Sequence, residues 1–175
     1  MQDLDALLSK LFPCGVTLET TGDVCAGIGE LADGPVVLVG TRNEAFIGAE
    51  IAHALTGHIL AAMRDHPGRP ILMLVDNAGQ RLSRRDEMLG NNAYLANLAK
   101  ALDVARRRGH VVLSLVYGRA VSGGFLACGM SAEGCLAPLD VPGRETERSE
   151  LAANSVGPCR SRGWANGRCS GSADR

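Results

Sequence analysis

Aromatic residues are scarce in this chain, at 3% of its 175 residues, although hydrophobic residues make up 46%. The interior must therefore be built from Ala, Val, Leu and Ile. Small side chains together with 22 glycines suit closely packed layers of helix and sheet better than a β-sandwich. A chain of this length can bury a substantial core within one domain.

The sequence also lacks the features of several functional classes. Its net charge is only −1, which predicts no general affinity for nucleic acid or for an anionic membrane. No apolar run approaches the roughly 20 residues that span a bilayer, and the first residues are acidic, unlike the basic start of a signal peptide. The six cysteines include no CxxC pair, so we expect reduced thiols, no metal site and a cytoplasmic location.

Hydrophobic periodicity predicts alternating strands and helices, which is typical of an α/β fold with crossover connections. The region after Ser83 has the pattern of a capping box that starts a helix, with Asp86 three residues further on. The predicted elements are a helix at 3–12, a hairpin of strands 16–20 and 24–31, a strand at 35–40, a helix at 48–66, a strand at 70–76, a helix from 84 to about 108 and a strand at 111–116.

Two glycine-containing loops follow predicted strands and form the candidate site. The first loop is Asp76–Gln80, in which Asn77–Gln80 is expected to turn away from the end of strand 70–76, and Ser122–Gly124 opens a short helix of small residues after strand 111–116. In α/β sheets ligands bind beyond the C-terminal strand ends. Free N–H groups at a helix start stabilise negative charge, and glycine lets a ligand approach closely. The residues alone predict an oxyanion hole or a phosphate cradle, without distinguishing the two.

Residues 138–175 break this pattern. They contain no Ile, Met, Phe, Tyr or Lys and are rich in Arg, Ser and Gly. We therefore predict one domain over residues 1–137 and an atypical segment over 138–175. The segment is either a disordered tail or an out-of-frame stretch from a GC-rich gene.

Three stretches resemble the carboxyltransferase branch of the crotonase superfamily. They are PILMLVDNAGQRLSRRDE from Pro70, NAYLANLAKALDVARRRGH from Asn92, and VVLSLVYGRAVSGGFLACGMSAEGCLA from Val111. The combination of QRLSRRDE with YGRAVSGGF is similar to the gamma subunit of biotin-independent malonate decarboxylase. The resemblance covers about residues 1–137 and implies a crotonase-like ββα-repeat fold whose C-terminal part is missing or atypical.

The resemblance also implies an activity and its partners. Gamma and beta subunits of this family together decarboxylate a malonyl thioester to an acetyl thioester and CO2. The acyl group travels on the phosphoribosyl-dephospho-CoA-type arm of an acyl-carrier subunit, loaded by an acyl-carrier-protein transferase (alpha) subunit. We therefore expect no cofactor bound by this chain, no biotin, and activity only in a complex.

The same resemblance assigns site residues. One backbone donor to the enolate oxygen maps to Gly123, the second maps to Ala78 or Gly79, and Gly124 allows close helix packing. The implied catalytic residues are Gly123, Gly124, Ala78 and Gly79, and the implied substrate-binding residues are Gln80, Arg81 and Ser122. Gln80 and Arg81 are alternatively ordinary surface residues, and Asp76 is interpreted as a turn acid. Leu126 replaces the glutamate of the superfamily's hydratases, which argues against hydratase chemistry.

Two other functions compete with this interpretation. The spacing around Ser122 also resembles the nucleophile block of Clp-type serine peptidases, which need a histidine base. All four histidines precede Ser122, whereas those peptidases place theirs after it. The second alternative is an inactive, truncated subunit that serves only as a scaffold.

Overall fold

The computed structural model describes residues 4–137. The elements of this part of the chain are α1 (Leu4–Leu11), β1 (Val16–Thr21), β2 (Val24–Leu31), β3 (Gly34–Thr41), β4 (Ala45–Ile47), α2 (Ala49–Asp65), β5 (Ile71–Gln80), α3 (Arg84–Leu89), α4 (Asn91–Arg107), β6 (Val112–Ala120), α5 (Ser122–Cys128) and β7 (Gly134–Leu136). The prediction for residues 138–175 lies outside the described residues and stays a prediction.

The strands form one mixed sheet in the order β1-β2-β3-β5-β6-β7, with β4 added beside β5. β1, β2 and β3 are antiparallel, and the predicted hairpin is confirmed, since Thr21 pairs with Val24 across its turn. β3, β5, β6 and β7 run parallel. The predicted α/β class is therefore confirmed, and the ends of β5 and β6 meet at one edge of the sheet.

Helices cover both faces of the sheet. On one face α1 and Phe12 pack against alternate residues of the strands, including Leu38, Leu72 and Leu74. Successive strand residues point to opposite faces, so the intervening buried residues of β3 and β5 face the other side. This second layer contains α2 and α4, which pack against each other and contact β3 and β6 respectively. Among residues 4–137, every large hydrophobic side chain of the core except Phe12, Tyr117 and Phe125 is aliphatic or Met, as the composition predicts.

The strand that leads to the first loop is longer than predicted. β5 continues to Gln80, so the expectation that Asn77–Gln80 turns away from the sheet is wrong. The reason is β4, which the sequence pattern did not reveal: Ala45 pairs with Asn77 and Ile47 pairs with Gln80. The short β7 was also not predicted. The extended end of β5 therefore has strand neighbours on both sides.

The helix predicted from residue 84 to 108 is two helices. Gly90 has a left-handed backbone, with φ of 75°, which ends α3 and precedes α4. Glycine adopts this conformation without the cost that a Cβ imposes. Ser83 caps α3 as predicted, since its hydroxyl accepts a hydrogen bond from the Asp86 N–H at 3.1 Å. Within residues 4–137, no helix is both long and apolar enough to cross a membrane.

Candidate functional site

The structure brings the two predicted loops into direct contact. A Cβ atom placed on Gly124 would lie 2.9 Å from the carbonyl carbon of Gly79 and 3.0 Å from its oxygen. One on Gly79 would lie 3.2 Å from the Cβ of Ser122. The start of α5 therefore packs directly on the backbone of β5, an approach that only glycine permits at these two positions.

The turn into α5 is tight and leaves a backbone donor available. Val121 is extended, and Ser122 then takes a left-handed conformation with φ of 55°. This conformation costs a residue with a side chain about 1–2 kcal/mol. The first N–H groups of a helix have no acceptor within it. Among residues 4–137, no group outside the helix accepts from the Gly123 N–H.

A groove of about 440 Å³ opens beside this turn, lined by Phe46, Ala78, Gln80, Arg81, Leu82 and Ser122. The four predicted catalytic residues differ in access to it. Gly79 and Gly124 are buried, whereas Ala78 and Gly123 are partly exposed. The Gly79 N–H also donates to Asn77 Oδ1 at 3.3 Å. Ala78 and Gly123 are thus the two of these residues with access to solvent, and Gly79 and Gly124 are packed against each other.

Two of the three predicted substrate-binding residues have polar side chains available in the groove. A Cβ on Gly123 would lie 2.6 Å from Gln80 Oε1, so the Gln80 carboxamide covers the turn. Ser122 is exposed. Neither side chain is hydrogen-bonded to another residue of the described part of the chain. Both are therefore free to contact a ligand.

Arg81 lines the same groove, but its guanidinium is engaged by carboxylates. Its Nε lies 2.7 Å from Asp86 Oδ2, and its Nη2 lies 2.8 Å from Asp86 Oδ1 and 2.5 Å from Glu50 Oε2. These hydrogen bonds, first of all those to Asp86, raise the pKa of Arg81 above its usual range. In turn, the bonds from Arg81 and Ser83 hold the pKa of Asp86 well below its usual range. The pair is ionised at every working pH.

Asp76 is a buried residue of β5 with a structural role. Its buried carboxylate accepts hydrogen bonds from the Arg119 N–H at 2.7 Å and the Glu44 N–H at 3.1 Å. A Cβ on Gly118 would lie 2.1 Å from the Asp76 carboxyl carbon, so that glycine makes room for the carboxylate. Asp76 thus joins β5 to β6 and to the turn before β4. Its interpretation as a turn acid is wrong, because β5 continues past it to Gln80.

The sequence did not point to the walls of the groove or to the residues that brace it. Phe46 and Leu82 are large and apolar, yet 57% and 77% exposed. The available signal for Leu82 was its isolation within the polar run QRLSRR. Asp86 is 1% exposed, but in the sequence it is an ordinary capping-box residue. Only the fold shows that it binds Arg81.

The described residues do not place beside Ser122 the histidine base that a serine peptidase needs. No histidine of the described residues contacts Ser122, and the buried His110 lies at the opposite end of β6, with Nδ1 2.8 Å from the Arg69 carbonyl oxygen. At about 3.3 Å per residue, β6 separates the two by roughly 30 Å. No three His, Cys, Asp or Glu side chains in the described part of the chain are grouped to hold a metal ion.

This mixed sheet, with a helix that opens from a glycine turn onto a neighbouring strand end, has the crotonase-like fold of carboxyltransferase-type proteins. The fold is similar to transcarboxylase 12S, with a TM-score of 0.64 and 17% identity over 88% of this chain and 31% of that chain. It is also similar to the beta subunit of geranyl-CoA carboxylase from P. aeruginosa, with a TM-score of 0.63 and 17% identity over 78% of this chain and 26% of that chain. At this identity the likeness shows the fold alone.

A sequence model of the malonate decarboxylase gamma subunit matches residues 42–155, and the chain belongs to this family. The match extends past the predicted boundary at residue 137. The structure of the Pseudomonas malonate decarboxylase MdcD-MdcE hetero-dimer is similar, with a TM-score of 0.62 and 27% identity over 85% of this chain and 66% of that chain.

A third relative is the malonyl-S-ACP:biotin-protein carboxyltransferase MADD of Malonomonas rubra, 40% identical over 65 residues, or 37% of this chain and 22% of the relative. The chain thus spans less than two thirds of the length of these relatives.

Proposed function

We propose that this chain acts with a beta subunit to decarboxylate a malonyl thioester, as the gamma subunit of a biotin-independent malonate decarboxylase. The observation that carries the proposal is the Gly123 N–H at the start of α5, which has no acceptor among the described residues and lies beside the accessible groove. Family membership and the MdcD-MdcE likeness support the choice of malonyl substrate and beta-subunit partner.

The reaction requires stabilisation of one negative charge. When the bond between the malonyl C2 and its carboxylate carbon breaks, CO2 leaves and the electron pair moves onto the thioester oxygen as an enolate. The Gly123 N–H donates to that oxygen. Ala78 is the better placed source of the second donor, because it lines the groove while Gly79 is buried. Removal of one such donor in other enzymes costs about 10²–10³ in kcat.

The enolate carbon must then take up a proton. Arg81 is the only ionisable residue lining the described groove, and its pKa lies above the usual range. It is therefore a poor acid, and we assign the proton donor to the beta subunit. Gln80 and Ser122 contact the thioester end of the substrate. The prosthetic arm of the acyl-carrier subunit, loaded by the alpha subunit, delivers the acyl group, and neither biotin nor another cofactor is bound by this chain.

The test compares two substitutions at one position. The full chain is co-expressed with the beta subunit, and CO2 release from malonyl-loaded carrier protein is measured. Gly123→Pro removes the N–H in the first helical turn, where no intrahelical hydrogen bond is lost. Because proline also restricts the preceding Ser122, which has φ of 55°, assembly and stability of this variant are measured alongside its activity. Gly123→Ala retains the N–H, and its Cβ meets only the flexible end of Gln80.

We expect Gly123→Pro to lower kcat by about 10²–10³ in a complex that still assembles, and Gly123→Ala to retain most activity. No CO2 release from the unmutated pair would favour an inactive scaffold. Full activity of the assembled proline variant would remove Gly123 from the mechanism. Labelling of Ser122 by a fluorophosphonate probe would instead support the peptidase alternative.

A further inference from the structure

The strand end that carries Ala78 continues directly into a network centred on Arg81. The Arg81 N–H donates to the Ile47 carbonyl oxygen at 2.9 Å, which extends the pairing of β5 with β4. The Asn91 side-chain amide donates to the carbonyl oxygens of both Ile47 and Arg81, at 3.3 and 3.4 Å. The backbone N–H and the backbone carbonyl oxygen of Arg81 are therefore both hydrogen-bonded, next to the strand residues that line the groove.

The Arg81 side chain is also held, through its ion pair with Asp86. Asp86 binds it through both carboxylate oxygens, and Asp86 Oδ1 also accepts from the Ala49 N–H at the start of α2, at 3.4 Å. A Cβ on Gly48 would lie 2.3 Å from Arg81 Nη2 and 2.7 Å from Asp86 Oδ1. Gly48, which has no side chain, therefore leaves room for the Arg81–Asp86 pair. The pair connects the end of β5 to α2 and α3.

The two carboxylates on Arg81 are unequal. The Asp86 side chain is 1% exposed and forms a two-point contact with the guanidinium, whereas the Glu50 side chain is 49% exposed. Two-point arginine–carboxylate pairs fix geometry as well as adding energy, and exposed ion pairs contribute little. Asp86 therefore determines where the guanidinium lies, and Glu50 provides a matched control on the same group.

We propose that Arg81 and Asp86 are positioning residues that hold the Ala78–Gln80 strand end in register with the Gly123 turn. This inference rests on the proposed function and revises the expectation that Arg81 binds substrate. The pair acts through the backbone: Arg81 follows Gln80, whose carboxamide covers Gly123. Movement of this segment by about 1 Å would misplace the groove's donors, and such misplacements cost on the order of 10²-fold in rate.

The test uses the assembled complex of the full chain, the beta subunit and malonyl-loaded carrier protein. Asp86→Asn removes the buried charge, Arg81→Lys retains the positive charge but loses the planar fork, and Glu50→Gln is the control. We expect kcat to fall about 10- to 100-fold for the first two variants with KM changed less than about twofold. Glu50→Gln is expected to keep kcat within about twofold.

The double variant and amide hydrogen exchange distinguish a positioning role from a general loss of stability. Under the proposal the effect on kcat comes from the contact that Arg81 and Asp86 share, so Arg81→Lys with Asp86→Asn should be little worse than the more damaging single change, although Asp86 also binds Ala49 and Ser83. Hydrogen exchange at the amides of residues 78–82 should accelerate in Asp86→Asn and not in Glu50→Gln. Full kcat in an assembled Asp86→Asn complex would overturn the proposal. A raised KM at unchanged kcat in Arg81→Lys would restore Arg81 as a substrate-binding residue.

The exchange measurement does not depend on turnover. If the unmutated complex releases no CO2, the proposed function fails. The positioning role of the pair is then decided by exchange alone: unchanged protection at residues 78–82 in Asp86→Asn refutes it, and selective loss of protection supports it.

Discussion

Gly123 and Gly124 are adjacent in sequence, yet the structure predicts opposite responses when each is changed to alanine. A Cβ on Gly124 would lie 2.9 Å from the Gly79 carbonyl carbon and 3.1 Å from Ile47 Cδ1. The backbone atom of β5 cannot move without disturbing its pairing with β4. A Cβ on Gly123 would meet Gln80 Oε1 at 2.6 Å, which is the mobile end of a side chain and can rotate away.

These contacts set the expected magnitudes. Extra atoms in a tightly packed site cost about 1–3 kcal/mol, so Gly124→Ala should lower the free energy of unfolding by about that amount. For a chain of this size, the fall in Tm would be about 2–12 °C. Gly123→Ala meets no rigid neighbour and gains helix propensity of up to about 1 kcal/mol. It should leave stability unchanged or slightly raised.

Urea unfolding of the two full-chain variants, followed by circular dichroism, measures the difference. Under the proposed function, Gly124→Ala should also lower kcat more than Gly123→Ala, because it displaces α5 from β5 and moves both accessible donors apart. Equal losses of stability in the two variants would refute the contact geometry. A stable Gly124→Ala variant would show that the start of α5 does not lie against the Gly79 backbone.

Three further outcomes follow from single contacts. Gly90→Ala should lose about 1–2 kcal/mol of stability, because φ is 75° at this position. Gly57→Ala, in an exposed turn of α2 with no atom near its Cβ, should instead gain up to about 1 kcal/mol. Denaturant unfolding of both variants distinguishes the effect of backbone conformation from that of packing. Gly118→Ala should displace the Asp76 carboxylate, 2.1 Å from the new Cβ, and accelerate exchange of the neighbouring amides. Burial raises the pKa of the Cys128 thiol from 9.0 to about 12, so the native state retains a proton that the unfolded chain loses. The protonated thiol therefore contributes its full stabilisation below pH 9, and this contribution is lost as pH rises towards 12, by up to about 1.4 kcal/mol per pH unit. Cys128→Ala should make the free energy of unfolding fall less steeply between pH 9 and 11, as measured by denaturant unfolding.

The parts of the fold that sequence predicted well are those set by local pattern. The hairpin followed from alternating residues around Gly22, and the cap at Ser83 followed from its spacing to Asp86. β4 has three residues and no sequence pattern of its own, and in the structure it pairs with β5. The extension of β5 to Gln80 depends on that pairing and was for the same reason not predictable.

In the candidate site too, features set by local sequence pattern could be predicted, and features set by tertiary packing could not. The glycine turn at Ser122–Gly124 could be located from its strand–turn–helix pattern, whereas the segment predicted as the other turn is the end of β5; the structure brings the two segments into contact. The resemblance separated Gly123, as a donor, from Gly124, as a packing residue, whereas the strand–turn–helix pattern alone did not, because which glycine is exposed depends on tertiary packing. Arg81 illustrates the limit most clearly, because an arginine beside a predicted loop suggests anion binding. Its carboxylate partners belong to α2 and α3, which only the fold places around it.

The composition and the site have a common physical cause. At the C-terminal ends of β5 and β6, positions that side chains would normally fill are occupied by backbone or by a carboxylate lying against a glycine. Gly124 lies on Gly79, and Gly118 faces Asp76. With few aromatic residues to fill space, the chain brings its strand ends within van der Waals contact of each other. Because such backbone contacts cannot adjust by rotation, the backbone around Ala78 and Gly123 is fixed by packing, and under the proposed function this rigidity is the electrostatic preorganisation that an enolate requires.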